Sequence, residues 1–463
     1  MQFELSTEFL NSLREGIRNN NQEQVKKLIE DLHPADIAEI MAELVSKEAW
    51  FIYSLLNEKE ASEVVIELDR DLRKKLFSTL SSEEIAKHVE NLDTDDATDV
   101  ISELTDAKQT EVLSHVDDHE QASDIVDLLK YPEDTAGSIM GKELIMANAN
   151  WTVMRCVAEM RRQAQDVKSI YTIYVVDDNE KLLGILSLKK LLLVSEKEKI
   201  ENIYNDEVIS VTIKEKVEDV ANIMDKYNLV AIPVVDEIGR LVGRITIDDA
   251  VDILRKEETE DVQKMAGMEA LDEPYMTIPF FQLIKKRAGW LVILFVGESL
   301  TATAMSFFEG QIAKAVVLAL FIPLIISSGG NTGSQASSLI IRALALGEVN
   351  IREWWNIVKK EFFIGLSLGL ILGLVGFLRV ALWSQFTTIY GPHWLSIGLT
   401  VGLSLIGVVL WGNLAGSVLP ILLKRAGLDP AVSSAPFVAT LIDVTGLIIY
   451  FTIASIILAG TLL

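Results

Sequence analysis

The sequence predicts a multidomain membrane protein: an all-α superhelical N-domain, a duplicated α/β module, a long linking helix and an α-helical transmembrane domain of five spans. Three observations predict it. First, the chain has a formal charge of −25 yet is 49% hydrophobic, with a mean hydropathy of +0.29. Residues 289–463 hold only 8 Lys+Arg and 7 Asp+Glu, which leaves a net −26 in residues 1–288. Second, a block of strand-like sequence recurs without a gap at an offset of 59 residues. Third, five stretches are long and apolar enough to cross a bilayer, which takes about 20 residues each.

The helical N-domain is expected over residues 1–130. Apolar residues there recur at spacings of three and four, with no strand-like alternation and few Gly or Pro. An acid or amide stands just before a small Ala in HPADIAEIM, EKEASEVVIEL, SSEEIAKHVENL, TDDATDVISEL and HEQASDIVDLL. The anchoring residues Ala38, Ala61, Ala86, Ala97 and Ala122 are spaced by 23, 25, 11 and 25. A rough repeat of that length suggests stacked helical hairpins, an α-solenoid.

The α/β module is expected over residues 131–254. IYVVDDNEKLLGILSLKKLL (173–192) aligns with IPVVDEIGRLVGRITIDDAV (232–251), and each is strand, acidic or Gly turn, strand and helix start. An amphipathic helix precedes each copy, VMRCVAEMRRQ and VEDVANIMDKY. The pattern resembles a tandem CBS pair, with units at about 139–200 and 203–254. The resemblance implies a regulatory module with adenosine-nucleotide clefts, an ATP site among them. In such pairs the nucleotide meets an acid at the second strand–helix junction, here Asp248 and Asp249. The first copy has Lys189 and Lys190 instead.

The linking helix is expected over 248–275. At 100° per residue, Asp249, Asp252, Glu257 and Glu260 fall within an arc of roughly 140°. Two readings stand. The acids form a solvated face, or they gather divalent cations together with acids of the helical domain such as Asp95, Asp96 and Asp99. The acidic balance argues against nucleic acid, whose phosphates need a basic footprint; cations or basic partners remain. The single cysteine, Cys156, excludes a disulfide framework and suits a reducing compartment. MQFELSTEFL has no basic region followed by an apolar run, so no cleavable signal peptide is expected.

The transmembrane domain is expected over 276–463, with spans at 289–308, 313–346, 362–383, 395–423 and 436–463. Lys285, Lys286 and Arg287 precede the first span. Arg342, Arg352, Lys359 and Lys360 separate the second from the third, and Lys424 and Arg425 the fourth from the fifth. This bias places those connections and the acidic head in the cytoplasm, and the C-terminus outside. Only Glu298 and Asp443 sit well within apolar runs. A carboxylate at that depth costs roughly 2.5–3.5 kcal/mol on insertion scales, so such a group is turned toward a protein interior or an aqueous path. Either a protonated carboxyl bonded to a neighbouring helix or an ion-path ligand would satisfy that. The stretch PLIISSGGNTGSQASS (323–338) is polar at membrane depth. Its small residues suit tight helix packing, and Asn331, Thr332 and Gln335 suit a polar wall around an aqueous path. Oxygen ligands and a carboxylate fit a hard cation such as magnesium or calcium, not zinc or copper.

The order of parts, with SGGNTGSQASSLIIRALALGEV (328–349), DPAVSSAPFVATLIDVTGLIIYF (429–451) and YPEDTAG (131–137), resembles the MgtE family of magnesium channels over essentially the whole chain. The resemblance implies a magnesium-selective passive channel, a homodimer in the lipid of the cell inner (plasma) membrane. Its pore would lie on the two-fold axis between the second and fifth spans. Asp443 and the Ala439 carbonyl would meet hydrated Mg2+ there, and the linking helix would act as a plug. Asp249, Asp252, Glu257, Glu260, Asp261 and Asp429 match the family's sensing acids, so magnesium is expected as both substrate and regulator. Lys216 and Asn228 stand where the family can carry acids, and Ala435 where it can carry an amide. The mechanistic alternative is a secondary transporter coupled to Na+ or H+. An intramembrane enzyme is not expected, because Asp443 has no neighbouring His or nucleophile.

Overall fold

A computed structural model describes residues 3, 5–163, 170–271, 275 and 278–462. They form two compact units, residues 1–257 and 258–463. In the first unit, helices of 8 to 12 residues follow one another from Thr7–Arg18 to His119–Leu128. Their starts are set by local chemistry. Asn57 with Glu60 and Ser81 with Glu84 form reciprocal capping boxes, satisfying amides that the first helical turn leaves unpaired. Ala38, Ala61, Ala86 and Ala97 are at most 4% exposed, where a small side chain lets the next helix approach. Ala122 is only half-buried.

The α/β half of this unit contains two three-stranded sheets. In the first, β1 (Ile145–Asn148) pairs in parallel with β2 (Ile173–Val176), which pairs antiparallel with β3 (Leu182–Leu186). The second repeats the order with β4 (Val211–Thr212), β5 (Ala231–Val235) and β6 (Leu241–Thr246). The duplication reaches the irregularities. The register shifts at Val175/Val176 in one copy and Val234/Val235 in the other. Asp177 and Asp236 each fold their carboxylate over the tight turn that follows. The left-handed turn position is Glu180 in one copy and Gly239 in the other, with φ of 62° and 86°; only glycine adopts it without steric cost.

The copies diverge after the last strand. In the first, helix Leu188–Leu193 stops after six residues. In the second it becomes the linking helix, Ile247–Met265. That helix ends ten residues short of the expected 275. Gly267 takes φ +76°, and the Gly267 and Met268 amides fold back onto the Lys264 and Gln263 carbonyls, a left-handed C-terminal stop.

Among its described residues the second unit holds five helices long and apolar enough to span a membrane. They are Phe280–Phe307, Ile322–Ala345, Trp354–Trp383, Trp394–Arg425 and Ala435–Ile457. The first starts nine residues before the expected 289 and includes Lys285, Lys286 and Arg287, because backbone hydrogen bonding continues past the edge of the apolar run. Glycines bring the spans into backbone contact. A Cβ on Gly412 would lie 2.5 Å from the Gly329 carbonyl oxygen, and one on Gly416 2.1 Å from that of Gly333. Side-chain hydrogen bonds join the second and fifth spans. Ser334 Oγ donates to the Ala435 carbonyl at 3.0 Å and Ser337 Oγ to that of Ser433 at 2.9 Å, so these two helices run antiparallel.

Candidate functional site

The first unit gathers acids from distant sequence. Helix Thr94–Ser102 is pinned to the α/β module by Glu143, whose carboxylate accepts from the Thr94 amide at 2.8 Å and the Thr94 hydroxyl at 3.0 Å. The Lys142 amide donates to the same hydroxyl at 2.8 Å. Gly141 lets this helix come close: a Cβ there would be 2.9 Å from Asp95 Oδ2. On the other side Asp249 sits in the first turn of the linking helix and reaches back to its start. It accepts from the Thr246 amide at 3.2 Å and the Thr246 hydroxyl at 2.8 Å; Asp248 also accepts from that hydroxyl.

Asp95, Asp96 and Asp99 thereby meet Asp249 and Asp252 around a water-accessible cavity of about 280 Å³. Among the described residues that line it, the cation is Arg73, already committed to Glu103 through two hydrogen bonds of 3.1 and 2.8 Å. Burial, and then the neighbouring Asp249 charge, hold the Asp95 carboxyl well above the usual carboxylate range. Burial likewise pushes Asp249 up to about 7, opposed by its bonds to Thr246 and aided by Asp248 and Asp96. Asp99 is raised by burial, against the pull of Arg73. Groups so placed must take up protons or cations, because like charges in a low-dielectric site cannot all ionise. Among the described residues no three His, Cys, Asp or Glu side chains are grouped closely enough to hold an ion directly. The cavity suits an ion that keeps its water shell, as magnesium does.

Glu257 is half-buried at the end of the first unit. Glu260 and Asp429 fall in the second unit, where Lys264 lies between them, with Nζ 3.4 Å from Glu260 Oε2 and 3.1 Å from Asp429 Oδ2. Burial works against the charge on Lys264, but Asp429 and Glu260 raise its pKa overall. Asp261, one residue from Glu260, is half-buried.

Within the spans Ala439 and Asp443 lie one turn apart on the fifth helix, facing Gly330 of the second. A Cβ on Gly330 would be 3.6 Å from Ala439 Cβ and 3.8 Å from Asp443 Oδ1. Asn331 and Gln335, one turn apart, are exposed. Thr332 departs from the polar wall expected for it. It is 6% exposed and its hydroxyl donates to the Ser328 carbonyl at 2.8 Å, because the helix turns it away from Asn331 and into the packed bundle. Ala435, apolar where the family can carry an amide, offers its carbonyl to Ser334. Asn228 caps helix Val217–Tyr227 at φ 51°, which accounts for an amide there. Sequence reasoning did not single out Glu143, Arg73 or Lys264, whose roles appear only when separate helices meet.

Residues 322–453 match the MgtE family, a divalent cation transporter; residues 32–134 match the MgtE intracellular N domain, and 136–197 and 200–256 match CBS domains. The magnesium transporter MgtE of Thermus thermophilus is 35% identical over 96% of this chain and 98% of its own. That of Bacillus subtilis is 27% identical over 95% of each chain. A crystal structure of the cytosolic domain of the Mg2+ channel MgtE in complex with ATP matches 53% of this chain and 99% of its own, at 30% identity and a TM-score of 0.50.

Proposed function

This chain belongs to the MgtE family of magnesium transporters, not a family of enzymes, and we propose that it is a magnesium-selective passive channel gated by cytosolic magnesium. The observation that carries the gating is the cavity where three acids of helix Thr94–Ser102 face two of the linking helix. Without cations this arrangement is opposed by repulsion and by burial of charge. A hydrated magnesium bridging it replaces protons with a divalent charge and draws the helices together. Because a ligand shifts a conformational equilibrium only by its differential affinity, further ions at Glu257, Glu260, Asp261 and Asp429 would sharpen closure. Emptying them would release the linking helix from its plugging position.

The conduction path in this reading runs past Asp443 and the Ala439 carbonyl on the two-fold axis of a homodimer. Asn331 and Gln335 support it: amides exposed on an apolar span are costly against lipid, and beyond the 3.4 Å bond from Asn331 to Ser327 Oγ water or a second copy would satisfy them. Magnesium sheds its waters reluctantly, so Asp443 and its symmetry mate would hold the ion through its shell. The head lies in the cytoplasm of a plasma-membrane protein, magnesium enters the cell, and the C-terminus faces outward. ATP at the junction of Asp248 and Asp249 would tune the switch.

The test is magnesium flux into proteoliposomes with no sodium or proton gradient while cytosolic-side magnesium is titrated. Flux that persists without either gradient and falls as that magnesium rises is expected; dependence on a gradient would establish the coupled transporter instead. Asp443→Ala is expected to abolish flux in a folded protein, and near-normal flux in it would sink the pore assignment.

A further inference from the structure

The last turn of the linking helix is seated on the membrane unit by contacts that use no metal. Gly267, whose left-handed conformation stops the helix, packs on the first span. A Cβ there would lie 2.9 Å from Trp290 Cδ1 and Nε1 and 3.2 Å from Pro436 Cγ. The same indole donates to Ser434 Oγ at 3.2 Å. One ring therefore joins the helix end to the start of the fifth span, which carries Asp443. Beyond the stop the chain stays pinned. The Glu269 amide donates to the Lys286 carbonyl at 3.2 Å, Lys286 Nζ to the Ala270 carbonyl, and the Leu271 amide to Gln263 Oε1 at 2.6 Å.

Charge completes the seat. Lys264 Nζ lies 3.4 Å from Glu260 Oε2, one turn back, and 3.1 Å from Asp429 Oδ2. Asp429 Oδ1 accepts from the Ala431 amide at 2.8 Å, so both oxygens of that carboxylate are engaged. The side chains of Lys264, Glu260 and Asp429 are 30%, 27% and 37% exposed, which leaves the ammonium less screened than at an open surface. Two carboxylates brought together in this way need a positive charge between them, and here the chain supplies it. A tethered ammonium is present at every magnesium concentration, whereas a free ion loads by mass action. We infer that Lys264 stands in for a magnesium ion at this end of the linking helix, so that the end stays docked at the start of the fifth span whether or not magnesium is bound. This rests on the reading of the linking helix as the gate. An ion reaching Glu260 and Asp429 has Lys264 to displace, so the magnesium response is carried first by the acids nearer the helix start.

The experiment is hydrogen exchange of residues 264–271 in full-length protein in nanodiscs, with magnesium chelated and at millimolar magnesium, comparing wild type, Lys264→Met and Lys264→Arg. In wild type and Lys264→Arg these amides are expected to be equally protected in both conditions. In Lys264→Met they should exchange at least about tenfold faster without magnesium. Protection should return when magnesium is added, because the bared carboxylates then bridge an ion. Lys264→Gln supplies a second uncharged form should Lys264→Met not reconstitute. Fast exchange of the wild-type segment in chelator would overturn the inference. So would protection in Lys264→Met without magnesium, or a loss that magnesium does not reverse, which marks a purely structural lysine. In proteoliposomes, closure of Lys264→Met by cytosolic magnesium should steepen by about one ion, and unchanged steepness counts against the inference. Wild-type flux indifferent to cytosolic magnesium would instead overturn the gating reading beneath it.

Discussion

Asp249 answers two demands at once. Its carboxylate closes the first turn of the linking helix through Thr246, and the same turn faces it toward Asp95. The first role favours the ionised form and the second opposes it; burial decides, leaving the group at about 7. The consequence for stability has a definite sign. Between the ordinary carboxylate range near 4 and about 7 the folded head keeps a proton that the unfolded chain has released. Stability is therefore fully present in acid and is lost as pH rises through that window, by at most about 4 kcal/mol for this group. In metal-free protein the melting temperature of the head should fall from pH 5 to 8, and saturating magnesium should flatten the slope. A melting temperature independent of pH, or the same slope in Asp249→Asn, would contradict the assignment. The sequence already pointed to acids on both helices, through charge density and helical phase. It did not reveal that Glu143 pins one of them or that Gly141 makes room for Asp95, because both depend on long-range contact.

The linking helix is the element on which the gating reading rests, and its two halves meet different chemistry. At its start Asp249 lies close to the carboxyls of Asp95 and Asp96, while its end is held by an internal cation, Lys264, between Glu260 and Asp429. An amphipathic-face argument treats all its acids alike. It placed Asp249, Asp252, Glu257 and Glu260 on one arc but could not show that Glu260 already has a counter-ion. Nor could it find the stop at Met265, set by the left-handed Gly267 packed on Trp290. In the second span the same kind of argument merged two faces. Gly329 and Gly333 are the packing face, Asn331 and Gln335 the open polar one, and Thr332 belongs with the first. Replacing Asp249, Asp252, Glu257 and Glu260 together by their amides removes most of the repulsion and most of the cation ligands from this helix. Closure by magnesium should then be lost, and flux should stay near its maximum at millimolar cytosolic magnesium, where the wild type is shut. Wild-type closure in the fourfold variant would refute the plug reading.

Across the whole molecule, charge is distributed by role. The net −26 lies before residue 289, and the remainder is close to neutral, so conduction would use little more than Asp443 and polar oxygens while most of the acid serves control. The five spans could be read from hydropathy because lipid tolerates few charges, and the duplicated module because its turn and bulge chemistry repeats at one offset. The glycine contacts could not be read, since spacing does not say which helices touch. Contact direction adds a constraint that hydropathy lacks. The first and fifth spans are parallel and the second and fifth antiparallel. Gly329 with Gly412 and Gly333 with Gly416 make the second and fourth parallel. The third and fourth are antiparallel, with Gly369 against Ile406 and Gly376 against Val401. Successive spans therefore alternate in direction, and the chain leaves the fifth on the face opposite its entry into the first. If Lys285, Lys286 and Arg287 hold that entry in the cytoplasm, as proposed, residues after Ile457 would lie outside. The lone cysteine, Cys156, is 1% exposed and gives little background labelling. Thr461→Cys should thus react with a membrane-impermeant maleimide in intact cells, whereas Lys189→Cys in the head should react only after permeabilisation. Labelling of Lys189→Cys in intact cells, with Thr461→Cys protected, would invert the topology and with it the assignment of magnesium sensing to the cytoplasm.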